Sequence, residues 1–148
     1  MKRSKRLAPV RQLKEREEKE AARRLGDAQK GLTEAIKQLE ELQQYRQDYY
    51  VTLSGGATPS NMSVPATVLE KYQLFLAKLN GVVERQQETV EQYRQHVEAH
   101  RKAWVESHAR LKSMDDLIAR ARKEELLFID KQEQKVIDER SQYSRRGW

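Results

Sequence analysis

Three features of this 148-residue chain have the residue types that chemistry needs. His96 and His100 stand one helical turn apart with Glu98 nearby, a spacing that puts two imidazoles on one helix face and in reach of a metal ion. Gly26 and Gly31 have the spacing of a phosphate-binding loop. Carboxylates recur along the whole chain, and positioned carboxylates are what acid–base catalysis uses. None of the three survives a look at its neighbours. Leu32-Thr33 follow Gly31 where a phosphate loop needs Lys and then Ser or Thr. The carboxylates alternate with Lys and Arg at helical spacing, which makes them a solvated face held by pairs one turn apart. Two histidines on a hydrated helix read as ordinary surface or seam residues. No catalytic residue, cofactor or metal is expected, and the chain is not expected to be an enzyme.

What positions these residues is a heptad repeat. With Leu69, Leu76, Val83, Val90, Val97, Trp104, Leu111, Ile118 and Glu125 as position a, the d positions are Tyr72, Leu79, Gln86, Tyr93, His100, Ser107, Met114, Ala121 and Phe128. Eight of the nine a sites and six of the nine d sites are apolar. A seam of period 3.5 is too narrow for a globular core and needs a second helix to cover it. The first half has its own frame, with Leu25, Leu32, Leu39, Arg46 and Leu53 at a and Ala21, Ala28, Ala35, Leu42 and Tyr49 at d. Upstream the frame weakens, because Lys14 and Glu18 fall on the seam.

Ser54-Gly-Gly-Ala-Thr-Pro-Ser-Asn-Met-Ser63 is the one convincing loop. Pro65 suits a first helical turn, and Thr67 with Glu70 matches a capping box. The expected fold is all-α: a long antiparallel coiled-coil hairpin of two unequal helices, about 5–53 and 65–141, with an apex loop at 54–64. Residues 1–148 form a single coiled-coil domain in this reading, and 1–6 and 142–148 are tails without expected order. If Leu53 faces Pro65, then Tyr49 meets Leu69, Leu42 meets Leu76, Ala28 meets Val90 and Leu25 meets Tyr93. His100 then faces Glu18, Trp104 faces Lys14, and helix 2 runs on alone from about residue 114.

Composition agrees with charged helices. Charged residues are 35% of the chain, Gly numbers 6 and Pro 3, and the mean hydropathy is −0.97. The longest purely apolar run is Leu126–Ile129, so neither a membrane span nor a signal-peptide core is expected. There is no Cys, which excludes disulfides and thiolate metal sites and fits a cytoplasmic protein. Of a net charge of +6, residues 1–24 carry ten Lys/Arg against four Glu. Such a cluster fits an acidic protein partner, nucleic acid, a membrane surface or a solvated tail. Nucleic acid is not expected, because few aromatics accompany the cluster and no regular basic stripe extends it.

In an antiparallel pair, d and g of both helices share one side of the seam. That side carries Gln38, Leu42, Tyr45 and Tyr49 on helix 1, and Phe75, Leu79, Val82 and Gln86 on helix 2. Position g normally holds Glu or Lys, so Tyr45, Phe75 and Val82 widen the apolar stripe into a partner-binding surface.

Leu7, Val10, Leu13, Ala21-Ala22, Leu25, Ala28-Gln29, Leu32, Gln38-Leu39, Leu42, Tyr45-Arg46 and Tyr49, with Tyr72-Gln73 and Phe75 after the loop, follow the pattern of the FliJ family. The Tyr-Arg-x-x-Tyr ending of helix 1, joined to this loop and a longer second helix, is the specific part. The resemblance covers essentially the whole chain. It implies a coiled coil similar to the γ-subunit stalk of rotary ATPases, set in the centre of the hexameric flagellar export ATPase FliI and touching the export gate FlhA. FliH and export chaperones are further partners it implies. The place it implies is the cytoplasm, at the inner-membrane periphery of the flagellar basal body, with the free protein a monomer. By resemblance, Gln38, Leu42, Tyr45, Tyr49, Phe75 and Leu79 are gate-contacting positions. Val82 and Gln86 depart from the pattern, which prefers a smaller residue and a His there. Leu7, Val10, Leu13, Leu126, Leu127, Ile129, Val136 and Ile137 are expected to touch the ATPase ring. Two other readings stay open: the equivalent stalk of a virulence type III secretion system, and a self-associating structural coiled coil.

Overall fold

The computed structural model describes residues 2–54 and 65–146. Two helices, α1 (Arg3–Leu53) and α2 (Ala66–Arg146), pack antiparallel as the all-α hairpin that the heptads predict. Both helices are longer than expected: residues 3–6 and 142–146, read as tails, are helical. The apex loop expected at 54–64 lies, apart from Ser54, outside the described residues. Ser54 ends α1, its amide donating to the Tyr50 carbonyl at 2.9 Å. The capping box does not form at Thr67, which lies inside the first turn. The Pro65 carbonyl instead accepts from the Val68 and Leu69 amides at 3.0 and 3.1 Å. A proline is suited to that position, since its missing N–H would have no helical partner there.

The helices divide into two compact units. One comprises Met1–Ala22 with Ala103–Trp148, and the other Arg23–Lys102. In the second unit, Ala28, Ala35, Leu76, Leu79, Val83 and Val90 are buried, and Val83 is 1% exposed. In the first, Ser4, Ser107, Ile118 and Ala121 are buried. Every one of these occupies an a or d position. Small Ala side chains on α1 let the larger Val and Leu of α2 approach, each such side chain contributing about 1.5–3 kcal/mol when covered.

The register differs from expectation by one heptad. Tyr49 stacks on Phe75, ring centroids 4.7 Å apart, which places it level with Leu76 rather than Leu69. Arg46 reaches Asn80 at 3.5 Å, and the Gln86 amide donates to the Ala35 carbonyl at 2.9 Å. Tyr93 lies against Gly31, so close that a Cβ there would sit 2.8 Å from the ring. Leu25, the expected neighbour of Tyr93, is therefore displaced. The first unit shows the same shift. Trp104 bonds Glu18 rather than facing Lys14, and Glu18 does not face His100. An a-to-d′ seam repeats every seven residues, so pairings one heptad apart bury the same apolar pattern, and individual side chains choose between them.

Two consequences follow from the shift. The first turns of α2 extend past the end of α1, leaving Val68 and Leu69 exposed although Leu69 is a seam residue. At the other end, α2 is covered well beyond residue 114, since Ile118 and Ala121 are buried and Ser4 bonds Glu125. The free segment starts near residue 126.

A cross-link checks the register. Oxidation should join Ala35→Cys to Val90→Cys within one chain and leave Ala28→Cys with Val90→Cys unjoined. One heptad separates the two pairs by about 10 Å along the helix, beyond disulfide reach. Mobility on a non-reducing gel reads the outcome.

Candidate functional site

The surface in the second unit is built on an aromatic cluster. Tyr45 meets Tyr49 edge-on at 5.1 Å and Phe75 edge-on at 6.3 Å, and Tyr72 lies 5.9 Å from Tyr49. The neighbouring Tyr45 phenol and partial burial raise the Tyr49 phenol above its ordinary pKa. Beside the rings, Gln38, Glu41, Leu42, Tyr45 and Gln86 line a concavity of about 440 Å³. The Gln86 amide donates to Gln38 Oε1 at 3.3 Å and closes its floor. The structure thus brings Gln38, Leu42, Tyr45, Tyr49, Phe75 and Gln86 onto one face. Val82 is exposed along the same side, whereas Leu79 is buried and supports the face from beneath. An open face with clustered aromatic rings and a lined concavity is suited to holding an apolar anchor of a protein partner.

The surface in the first unit is looser. Val10 and Leu13 are exposed on α1, and Leu7 is half-buried at the seam. On α2, Leu126, Leu127, Phe128, Ile129, Val136 and Ile137 are all exposed, Leu126 to 62%. These residues do not converge on one pocket. They form a stripe along the free segment, with Val136 and Ile137 lining one shallow site and Phe128 and Ile129 another. His96 and His100 lie in the second unit with rings 4.4 Å apart, edge-on. No third His, Cys, Asp or Glu joins a metal-holding group with them among the described residues.

The model of the family described as "Flagellar FliJ protein" matches residues 3–147. The chain belongs to the FliJ family. It is 30% identical over 139 residues to the flagellar FliJ protein of Salmonella typhi, covering 92% of this chain and 90% of that one. It is likewise 30% identical over 138 residues to the flagellar FliJ protein of Escherichia coli (strain K12), with the same coverage. The FliJ match runs through both units and both surfaces. Among the described residues, neither helix of this FliJ-family chain is long and apolar enough to cross a membrane.

Sequence reasoning missed how the FliJ-family hairpin closes at the start of α1. The Ser4 amide donates to Glu125 Oε1 at 3.0 Å, and its hydroxyl donates to Oε2 at 2.8 Å. Ser4 is 8% exposed. Glu125 therefore caps α1 from the opposite helix, taking up one of the amides that every helix start leaves unpaired. The cap matters because Pro9 lies inside α1 and cannot donate a backbone bond, which weakens the first turns of the continuous helix. Glu125 is the one polar a position of nine, and that exception was the available signal. A second polar clasp joins Glu18 to the Trp104 indole N–H at 2.9 Å, with the His108 ring stacked on Trp104.

The Ser4 amide and hydroxyl bonds lower the Glu125 pKa, aided by Lys2 and Arg122. A lowered folded-state pKa gives stabilisation that is present above the ordinary carboxylate pKa and lost as pH falls through the lowered value. The Ser4 amide resonance should move only as pH drops below the ordinary carboxylate range. At neutral pH, Glu125→Ala should speed tryptic cleavage after Lys5, Arg6 and Arg11; unchanged cleavage would show the clasp holds nothing.

Proposed function

We propose that the chain is a non-enzymatic coupling stalk of the flagellar type III export apparatus. In this reading the first unit engages the centre of the FliI ATPase ring, and the aromatic face of the second unit engages the FlhA export gate. The observation that carries the reading is the separation of two partner-type surfaces onto two units of a FliJ-family chain. An aromatic face with a lined concavity suits a specific linker segment. A loose apolar stripe suits a ring that must release the stalk as it turns over, since tight binding at one position would stop it there. The stalk works in the cytoplasm at the membrane periphery, held there by its partners, FliH and export chaperones included. The flagellar name of its relatives favours this system over a virulence secretion stalk.

Mixing the purified chain with the export ATPase of the same organism tests the reading. Turnover and hexamer content should both rise. No change in either, together with a stable dimer of the chain alone by sedimentation, would leave the self-associating coil ahead.

A further inference from the structure

Two charged rails border the aromatic face of the second unit. At about 100° per residue, position c lies roughly 40° around the helix from position g, on the side away from the seam. On α1 the c positions of this stretch are Glu34, Glu41 and Asp48, all acidic. On α2 they are Lys71, Lys78 and Arg85, all basic. The register that sets Arg46 beside Asn80 puts Glu41 level with Arg85, and Asp48 level with Lys78. The face therefore has two rungs of opposed charge, one heptad or about 10 Å apart, with Tyr45, Phe75 and Val82 between the rails. Past Arg85 the c positions of α2 are Gln92 and Ala99, so the opposition ends where the apolar floor ends.

The rails do not satisfy one another. All six residues are exposed. Other surface charges pair one turn apart, as Arg23 does with Asp27 and Arg101 with Glu98. Among the described residues, no ion pair holds Glu34, Glu41, Lys71, Lys78 or Arg85. The Asp48 carboxylate accepts the Gln44 amide at 2.9 Å. The b positions on the opposite side of the seam carry one sign only in this unit, with Glu40 on α1 and Glu84 and Glu91 on α2.

A third helix laid along the aromatic face would take d and g of both helices as its seam. Position c would then stand about 70° from the centre of that seam, as e stands beside an ordinary a/d seam. Charges at such flanking positions set the choice and direction of a helical partner. Rungs about 10 Å apart match residues seven apart on a helix, whereas a strand covers that distance in about three.

We infer that the aromatic face is a docking groove for an amphipathic helix of the gate protein that carries an apolar stripe between one basic and one acidic flank. Its basic flank lies against Glu41 and Asp48, and its acidic flank against Lys78 and Arg85. An apolar side chain enters the concavity that Glu41 lines with Leu42 and Tyr45. The rails fix which way the helix runs, since turning it end for end would bring like charges together. This rests on the gate-binding reading for the identity of the partner, and adds the form, charge pattern and direction of the bound segment.

Two charge reversals in the full chain test it, read by titration calorimetry with the purified gate fragment. Each reversed residue shifts the net charge by two, so Glu41→Lys with Asp48→Lys raises it by four and Lys78→Glu with Arg85→Glu lowers it by four. Both pairs should weaken binding, each by about tenfold. Glu40→Lys with Glu84→Lys adds the same charge on the other side of the seam and should change binding by less than about twofold. Circular dichroism checks that all three variants remain helical. A photoreactive phenylalanine at 75 or at 82 then reads the form of the segment, and the gate residues captured from the two positions should lie about seven apart in its sequence. One reversal that weakens binding while the other strengthens it would mean attraction by net charge alone and would overturn the inference. Captured residues about three apart would overturn it as well. Two reversals without effect, beside a loss from Tyr45→Ala with Phe75→Ala, would overturn it and leave the gate reading standing. No loss from any of these variants would overturn both.

Discussion

A chain carrying Tyr45→Ala and Phe75→Ala together is expected to bind the export gate far more weakly, with its stimulation of the export ATPase unchanged. Tyr45 and Phe75 are each more than one-third exposed and touch one another across the two helices at 6.3 Å. Aromatic anchors at the centre of an interface are worth about 2 kcal/mol or more each, or roughly 30-fold in affinity. Because the two rings share a contact, their effects will not add fully, so the pair should cost between about 30-fold and 1,000-fold. Titration calorimetry with the gate fragment reads the loss. Tyr50→Ala is the control, since Tyr50 is exposed but makes no ring contact with the cluster among the described residues. Equal losses from Tyr50→Ala would mean that the aromatic face is not the gate site.

The largest effect on stability should come from Val83→Asp. Val83 is the most completely buried side chain among the described residues, at an a position of the seam. A carboxylate there has neither water nor a cation, and an unpaired buried charge costs several kcal/mol. Total stabilities of domains this size are about 5–15 kcal/mol, so the melting temperature should collapse. Leu74→Asp, at a position 62% exposed, should cost about 0.5 kcal/mol, mostly from the lower helix propensity of Asp. Thermal melts followed by ellipticity compare the two. A Val83→Asp chain that melts like the Leu74→Asp chain would contradict the buried seam.

Much of this architecture was legible because heptads encode it directly. The burial of Leu76, Leu79, Val83, Val90, Ile118 and Ala121 follows the a and d assignment residue by residue. The register was not legible. Periodicity repeats with the heptad, and what separates Tyr49 opposite Leu76 from Tyr49 opposite Leu69 is the fit of particular pairs. Tyr93 in the space left by Gly31 and Tyr49 stacked on Phe75 are contacts between residues distant in sequence. The reach of the free segment was misjudged for the same reason, since its start depends on where α1 ends against α2. The Ser4–Glu125 clasp left a trace only as an exception in the repeat. The aromatic face was readable from Tyr45 and Phe75 at g positions, where charged residues are the rule.

The central claim is that one chain serves two partners at once, through surfaces on different units. Co-sedimentation of the full chain with the export ATPase hexamer and the gate fragment tests it most directly. A single ternary complex is predicted, with the gate fragment lost from it by Tyr45→Ala with Phe75→Ala and the hexamer retained. Displacement of the gate fragment by the hexamer, or no association with either, would contradict the account.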